Sequence, residues 1–310
     1  MVGVLFLLAR VGSVSSTNTA KGLTYGLTAY LIWGSFPIII SLLSFASAME
    51  VVVWRVAFGF LAAVVLITLN RSWGSVRSVL SSRSSLVWIL VSAVFIMVNW
   101  QAYVIGIASG HVVESSLGYF INPLVTIVLA VVFLGERLRF WQWFAVGLAF
   151  VAVVILTFDY GRPPWIALIL AGSFGIYGLA KNKIGGKVSA LNSFAFESGF
   201  LLPVALVESL LVLPGGIQFG AAGFWGSFGL VAFGVMTAIP LILFGSAAKH
   251  LPLSWIGFMQ FLTPIIQFSL GLFYFGETMP LARWFGFGLV WLALAFLSFD
   301  MAKHRQKSTK

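Results

Sequence analysis

From Gly22 to Ser298 the chain is an almost unbroken succession of apolar runs, each about 20 residues long, joined by short polar connections. A run of about 20 residues, rising ~1.5 Å per residue, crosses the hydrocarbon core of a bilayer as one helix. No water is present there to satisfy backbone N–H and C=O groups, so such a run has to be helical. Ten runs can be drawn: Gly22–Leu43, Ala48–Leu69, Leu86–Ile107, Val112–Leu134, Phe140–Phe158, Pro163–Ala180, Leu191–Val212, Ala222–Ala247, Leu253–Phe275 and Leu281–Ser298. A membrane β-barrel would show alternating segments of about 10 residues instead. Only 8% of residues are charged and 60% are hydrophobic, against about 25% charged in soluble domains. The expected fold is therefore an all-α integral membrane protein with ten transmembrane helices.

The runs fall into two similar sets. Gly118-Tyr119-Phe120-Ile121-Asn122-Pro123, followed by Leu134-Gly135-Glu136, returns as Met259-Gln260-Phe261-Leu262-Thr263-Pro264, followed by Phe275-Gly276-Glu277. At the same offset of 141, Trp143 falls on Trp284, Phe144 on Phe285 and Gly147 on Gly288. Gly34-Ser35-Phe36 meets Gly172-Ser173-Phe174 at a similar offset of 138. This predicts a duplication of two five-helix repeats, residues 21–159 and 160–302, flanked by an N-terminal tail at 1–20 and a basic tail at 303–310. Residues 1–20 are read as a tail rather than a cleaved signal, because no basic residue precedes the short apolar run Val2–Ala9. Five is odd, so the second repeat must enter the membrane from the opposite side. Two inverted halves around a central cavity are the plan of secondary transporters.

The basic residues test that topology. With the N-terminus inside, fifteen of the 18 Lys and Arg residues fall in cytoplasmic segments, among them Arg71, Arg77, Arg83, Arg137, Arg139, Lys181 and Lys183. The outer edges keep Arg162 and Arg283, and Arg55 lies inside a run. This distribution satisfies the positive-inside rule with both termini cytoplasmic. The net charge of +10 is then a topology signal and an attraction to anionic lipid, and nucleic acid is not an expected partner.

Several residues carry a resemblance to a known family. They are Trp33-Gly34, Val53-Trp54-Arg55-Val56, Asn99-Trp100, the decapeptide from Glu114 to Pro123, Tyr177-Gly178-Leu179, Glu197 with Leu201-Leu202-Pro203, and Phe275-Gly276-Glu277. With these the chain resembles the drug/metabolite transporter superfamily in its EamA-repeat branch, and within it the RarD permeases, from about residue 20 to 303. The resemblance implies a ten-helix, inverted-repeat permease of the cell's inner membrane, with export the common direction and no particular substrate fixed.

A charge inside a bilayer costs about 2.5–3.5 kcal/mol on insertion scales and marks a functional candidate. Arg55 and Glu197 qualify and are equivalent between the halves, at offset 142. Three readings stay open: a direct pair, separate anchoring on hydroxyls and carbonyls, or a role in substrate or proton binding. Their depths, roughly 10 Å in from opposite faces, weigh against a direct pair. Glu114 is read as a helix-start cap or a substrate-facing group, and Glu136 and Glu277 as structural. Polar and aromatic stripes point inward: Asn99 with Tyr103, Tyr119 with Asn122, and Gln260 with Thr263 and Gln267. The expected substrate site combines Trp33, Asn99, Trp100, Tyr103, Tyr119, Asn122, Tyr177, Gln260 and Thr263, with Arg55, Glu197 and Glu114 as intramembrane charges and Pro123 and Pro264 as hinges. Without a charge in reach such a pocket prefers a neutral or zwitterionic aromatic solute; Arg55, Glu197 or Glu114 reaching it would change that.

Catalysis is not expected. There is no cysteine, and His111, His250 and His304 lie at membrane edges or in the tail, too scattered to hold a metal. No phosphate-binding loop appears, so the chain hydrolyses no ATP of its own. No catalytic residue, cofactor or metal is expected. The expected partners are a small-molecule substrate and membrane lipid, with protons a candidate coupling ion and monomer or homodimer both open. The reading is a secondary transporter of a small amphiphilic metabolite or drug, with export the leading direction. The alternatives are an importer or exchanger of an amino-acid- or nucleoside-like metabolite, and a lipid-handling flippase or scaffold.

Overall fold

The computed structural model describes residues 16–135, 137–184, 188–212, 215–251 and 259–308. The expected tail at 1–20 lies mostly outside these, and so does Glu136. Eleven helices are described: α1 (Ser16–Leu42), α2 (Ala48–Leu69), α3 (Trp73–Leu80), α4 (Arg83–Ala108), α5 (Val112–Leu134), α6 (Phe140–Tyr160), α7 (Trp165–Ile184), α8 (Ala190–Val212), α9 (Gly223–His250), α10 (Leu262–Phe273) and α11 (Leu281–Ser308). Helix α1 begins within the expected N-terminal tail, and α11 runs on through the expected basic tail as far as Ser308.

Eight of the described helices are long and apolar enough to cross a membrane, namely α1, α2, α4, α5, α6, α8, α9 and α11. Helix α7 has the length but carries Lys181 and Lys183 in its last turn. Helix α10 has 12 residues, and the earlier part of the expected ninth run, residues 253–258, lies outside the described residues. Helix α3 is an addition, since only a loop was expected between the second and third runs. Its Val79 packs on Ile89 and Ile184, and its Ser75 hydroxyl accepts from the Asn192 amide at 2.8 Å, tying it to α8.

Local chemistry sets the helix ends. Ser47 caps α2 by accepting from the Glu50 amide, and Ser82 caps α4 by accepting from Ser85. Gly161 closes α6 at φ 64, a left-handed conformation that glycine adopts without cost. Pro163 and Pro164 follow at the start of α7, where a missing N–H is harmless. Carboxylates then pin the loops at the end of the bundle where α5 and α7 begin. Glu277 accepts from the Val112 and Val113 amides, the free donors of the first turn of α5. Burial raises its carboxyl above the usual range, against the pull of those two amides. Glu50, 2% exposed, accepts from the Gln218 and Phe219 amides and from the Trp54 ring N–H. These contacts make Glu277 structural, as expected, and give Glu50 a comparable role that the sequence did not suggest.

Helix α2 packs on α8, α5 on α10 and α6 on α11; α7 packs on α4 and α5, and α1 on α9 and α10. One apolar cluster fills the space between α1, α2, α4, α8 and α9, with Phe36, Val56, Trp100 and Phe233 at its middle. A second joins α5, α6, α10 and α11 through Leu117, Leu156, Phe268 and Phe287. The outside is as apolar as the inside: Phe273 is 86% exposed and Phe158 83%. A surface of this kind faces lipid.

The α6–α11 pair carries an ion pair at each end. Arg139, the residue before α6, meets Asp300 near the end of α11 at 2.6 Å; Arg283 in the first turn of α11 meets Asp159 at the end of α6 at 2.9 Å. The pair at Arg283 is the more enclosed, with side-chain exposures of 16% and 8%. A fully buried pair loses about 3–5 kcal/mol when one partner is removed. At this partly wet depth Arg283→Ala is expected to lower stability by about 1–3 kcal/mol. Arg139 is 42% exposed but its partner Asp300 is fully buried, so Arg139→Ala is expected to cost about as much. Thermal unfolding in detergent of both variants, and of the charge-exchanged Asp159→Arg/Arg283→Asp protein, checks this. No loss in either variant, or no recovery on exchange, would show that the pairs do not hold the two helices.

Candidate functional site

Arg55 lies two turns into α2 and is 4% exposed, the one buried cation among the described residues. Its Nε donates to the Thr237 hydroxyl of α9 at 3.1 Å. Thr237 gives its own proton to the Phe233 carbonyl at 3.1 Å, which leaves an oxygen lone pair turned to the arginine. The guanidinium lies 4.3 Å from the Trp100 ring, 5.1 Å from Phe233 and 5.5 Å from Phe36. Such stacking contributes about 2 kcal/mol when desolvated. Gly234 makes the cage possible: a Cβ there would meet the Trp54 carbonyl at 2.9 Å, so only glycine lets α9 come this close to α2. Among the described residues no carboxylate pairs with Arg55, and its Nη1 is buried with no hydrogen-bond partner.

Beside the cage runs a polar chain across five helices. The Asn99 amide of α4 donates to the Leu170 carbonyl and Ser173 hydroxyl of α7 at 3.2 and 3.1 Å, and its oxygen accepts from the Tyr119 hydroxyl of α5 at 3.3 Å. The Tyr103 and Tyr119 rings meet edge to face with centroids 5.7 Å apart. Tyr103 accepts from Gln267 Nε2 of α10 at 2.8 Å, and the same nitrogen donates to the Trp33 carbonyl of α1 at 3.3 Å. Gln267 Oε1 is buried without a partner. Gly118 sets α5 against α7, because a Cβ there would lie 2.8 Å from the Ala167 carbonyl.

Glu197 of α8 anchors a second charged centre. Its Oε1 meets Lys181 Nζ at 2.5 Å and accepts from Ser92 at 2.7 Å and Ser193 at 2.9 Å. The Tyr177 hydroxyl approaches Oε2 at 3.5 Å, and the Tyr177 ring lies 5.1 Å from the ammonium. The direct Arg55–Glu197 pair does not form, since each residue has its own partners. Arg55 anchors on a hydroxyl and aromatic rings; Glu197 has hydroxyls and a cation. Sequence reasoning had left Lys181 with the end loops. The missed signal is its spacing from Tyr177 by one turn, which puts both on one face of α7.

Other expected site residues separate from this core. Glu114, 1% exposed, is bound by Arg162 at 2.8 Å and accepts from the Ile166 amide at 3.0 Å. It caps the start of α7 rather than its own helix, and it does not face the Arg55 cage. Asn122 donates to the Ala171 carbonyl at 3.4 Å, and Thr263 to the Tyr30 carbonyl at 3.2 Å, so both join helices. Gln260 is exposed in the turn before α10 and leaves the expected stripe, while Gln267, further along it, occupies the core. Pro123 lies inside α5, which runs on around it as one helix. Pro264 lies in the first turn of α10, where proline removes no helix bond, so it does not break the described helix. Glu208, without an evident partner in the sequence, accepts from the Gln101 amide at 2.8 Å.

A cavity of about 290 Å³ opens at the α1–α2 end of the bundle, lined by Ile40, Val51, Val104 and Ile107 among others. Ile40, Val51 and Val104 each lie four residues from Phe36, Arg55 and Trp100 on the same helices, so the cavity begins one turn beyond the cage.

Residues 20–158 match the model of the EamA-like transporter family. The chain is 44% identical to Protein RarD of Streptomyces exfoliatus, over 93% of this chain and 91% of that one. It is 38% identical to an uncharacterized transporter of Pseudomonas aeruginosa, over 93% of this chain and 96% of the relative. A solved crystal structure matches with a TM-score of 0.55 at 18% identity, covering 90% of this chain and 98% of the other, which is a likeness of fold alone.

Glu197→Gln would leave Lys181 facing the bundle without its counter-charge. The variant is expected to lose about 2–4 kcal/mol of stability, and Lys181→Met/Glu197→Gln to regain most of it. Denaturant titration of the three proteins in micelles reads this directly. A single variant as stable as the parent would mean that the pair holds nothing together.

Proposed function

The chain belongs to the drug/metabolite transporter superfamily, in its EamA branch, as a RarD-like permease, and on that premise we propose that it carries a small amphiphilic solute across the inner membrane by alternating access. It is a multi-pass membrane transporter and not an enzyme. The observation that carries the proposal is the central core itself. Arg55, Trp100, Tyr103, Asn99, Tyr119 and Gln267 draw side chains from α2, α4, α5 and α10 into one buried polar and aromatic cluster. A few polar groups among aromatic walls are what a pocket for an organic solute requires. Export is the proposed direction, after the resemblance. Import or exchange of an amino-acid- or nucleoside-like metabolite is the alternative, and lipid scrambling is the reading of a different class.

Alternating access needs two halves that exchange roles, and the helix pairings support an inverted repeat of ten spans, with α7 and α10 completing the set. Exchanging α1 with α7, α2 with α8, α4 with α9, α5 with α10 and α6 with α11 turns the packing of α7 on α4 and α5 into that of α1 on α9 and α10. It maps α2–α8, α5–α10 and α6–α11 onto themselves. The two ion pairs of the α6–α11 clasp exchange in the same way. Pro123 in α5 is a proposed hinge.

Two measurements test the proposal. In proteoliposomes, counterflow of labelled aromatic solutes is expected, and Trp100→Ala should lower it roughly tenfold or more per molecule of folded protein, the equivalent of about 1.4 kcal/mol. Flux of no soluble solute, together with scrambling of a labelled lipid, would move the protein to the flippase reading. For the orientation, the chain has no native cysteine to interfere. In intact cells Arg77→Cys should be shielded from an impermeant thiol reagent and Gly215→Cys should react. The opposite labelling would invert the proposed topology and remove the cytoplasmic placement of both termini.

A further inference from the structure

We infer that Arg55 is the anchor for a carboxylate on the transported solute, and that the free carbonyl of Gln267 takes a hydrogen-bond donor on the same molecule. The inference rests on the transporter reading and narrows its substrate class. It starts from the distribution of charge. The described carboxylates are already engaged: Glu50, Glu277 and Glu208 on N–H donors, and Glu114, Asp159, Glu197 and Asp300 on Arg162, Arg283, Lys181 and Arg139. Arg55 stays a buried cation without an anion, and a lone charge in a low-dielectric interior is costly until an opposite charge meets it.

The cage specifies the sign of the ligand. Aromatic faces of this kind attract cations, but here the cation is built in and occupies the faces of Trp100, Phe233 and Phe36. What remains open is the guanidinium edge, where Nη1 has no partner. A planar guanidinium edge matches a carboxylate, and a single positive charge is balanced by a monoanion.

The second contact follows from a similar count. The Trp33 carbonyl can only accept, so the nitrogen of the Gln267 amide must face it. That orientation leaves Oε1 buried and unpartnered, an acceptor waiting for a donor. Tyr103, which holds Gln267, lies three residues from Trp100, which holds Arg55, so both contacts are organised by one face of α4. The cavity of about 290 Å³ begins one turn along α1, α2 and α4 from the cage.

The test uses the purified full chain in detergent and three matched probes: benzoate, phenylacetate and indole-3-acetate, each with its primary amide. A ligand of the folded state raises the unfolding temperature in a saturable way. At least one carboxylate is expected to bind roughly tenfold or more tightly than its amide. Mandelate, which adds a hydroxyl donor to phenylacetate, should bind more tightly than phenylacetate, and Gln267→Met should remove that gain. Arg55→Gln should abolish the carboxylate preference and Arg55→Lys should keep part of it. The comparison on the unaltered protein decides the matter even if Arg55→Gln fails to fold. No carboxylate preference in any of the three pairs overturns the inference. So does an equal stabilisation by chloride or inorganic phosphate at the same ionic strength, which would make Arg55 a simple counter-ion site. Flux of neutral solutes without a carboxylate preference would sink this inference and leave the transporter reading standing. Carboxylate binding without any flux would do the reverse.

Discussion

In a bundle wrapped in lipid, a charge or a backbone donor without a partner is expensive, and the placement of the carboxylates follows from that. Glu277 sits on the first amides of α5, Glu114 on those of α7, and Glu50 on the loop before α9. Each joins a helix start to a segment far away in the chain, and each offsets the positive end of a helix or turn. The long helices are stable by their own hydrogen bonds. Their mutual arrangement depends on these few polar ties and on the close approaches that Gly118 and Gly234 allow.

Against that background Arg55 stands out as the buried charge with no counter-charge among the described residues. Its neighbours are rings and one hydroxyl, which soften its burial without neutralising it. The pseudo-equivalent Glu197 is treated differently: a lysine and two serines enclose it. The two halves thus place charges at matching positions and satisfy them unequally. One centre is closed, and the other keeps a buried guanidinium nitrogen without a hydrogen-bond partner.

The aromatic stripes of the sequence divide in a similar way. Trp100, Tyr103 and Tyr119 gather around the centre, while Asn122 and Thr263 spend their polar atoms on the backbone of neighbouring helices. Of the stripe read on α10, Gln267 is the residue that lies buried in the core. Helix α10 starts at Leu262, so Gln260 falls in the turn before it and points away. A stripe read by spacing assumes that the helix has already begun.

The sequence by itself determined the class of fold. Apolar runs long enough to cross a bilayer, the fifteen basic residues assigned to one side and the recurrence at offset 141 are local or periodic signals, and hydrocarbon leaves such a chain no choice but helices. It also marked Arg55 and Glu197, because any charge inside such a run is conspicuous. What it did not determine is who meets whom. Arg55 finds Thr237 across 182 positions, Ser92 finds Glu197 across 105, and Gln267 finds Tyr103 across 164. Those partners depend on which helices lie side by side and on how each is rotated about its axis. Glycine contacts and interlocking side chains set both, and composition and periodicity do not carry that information.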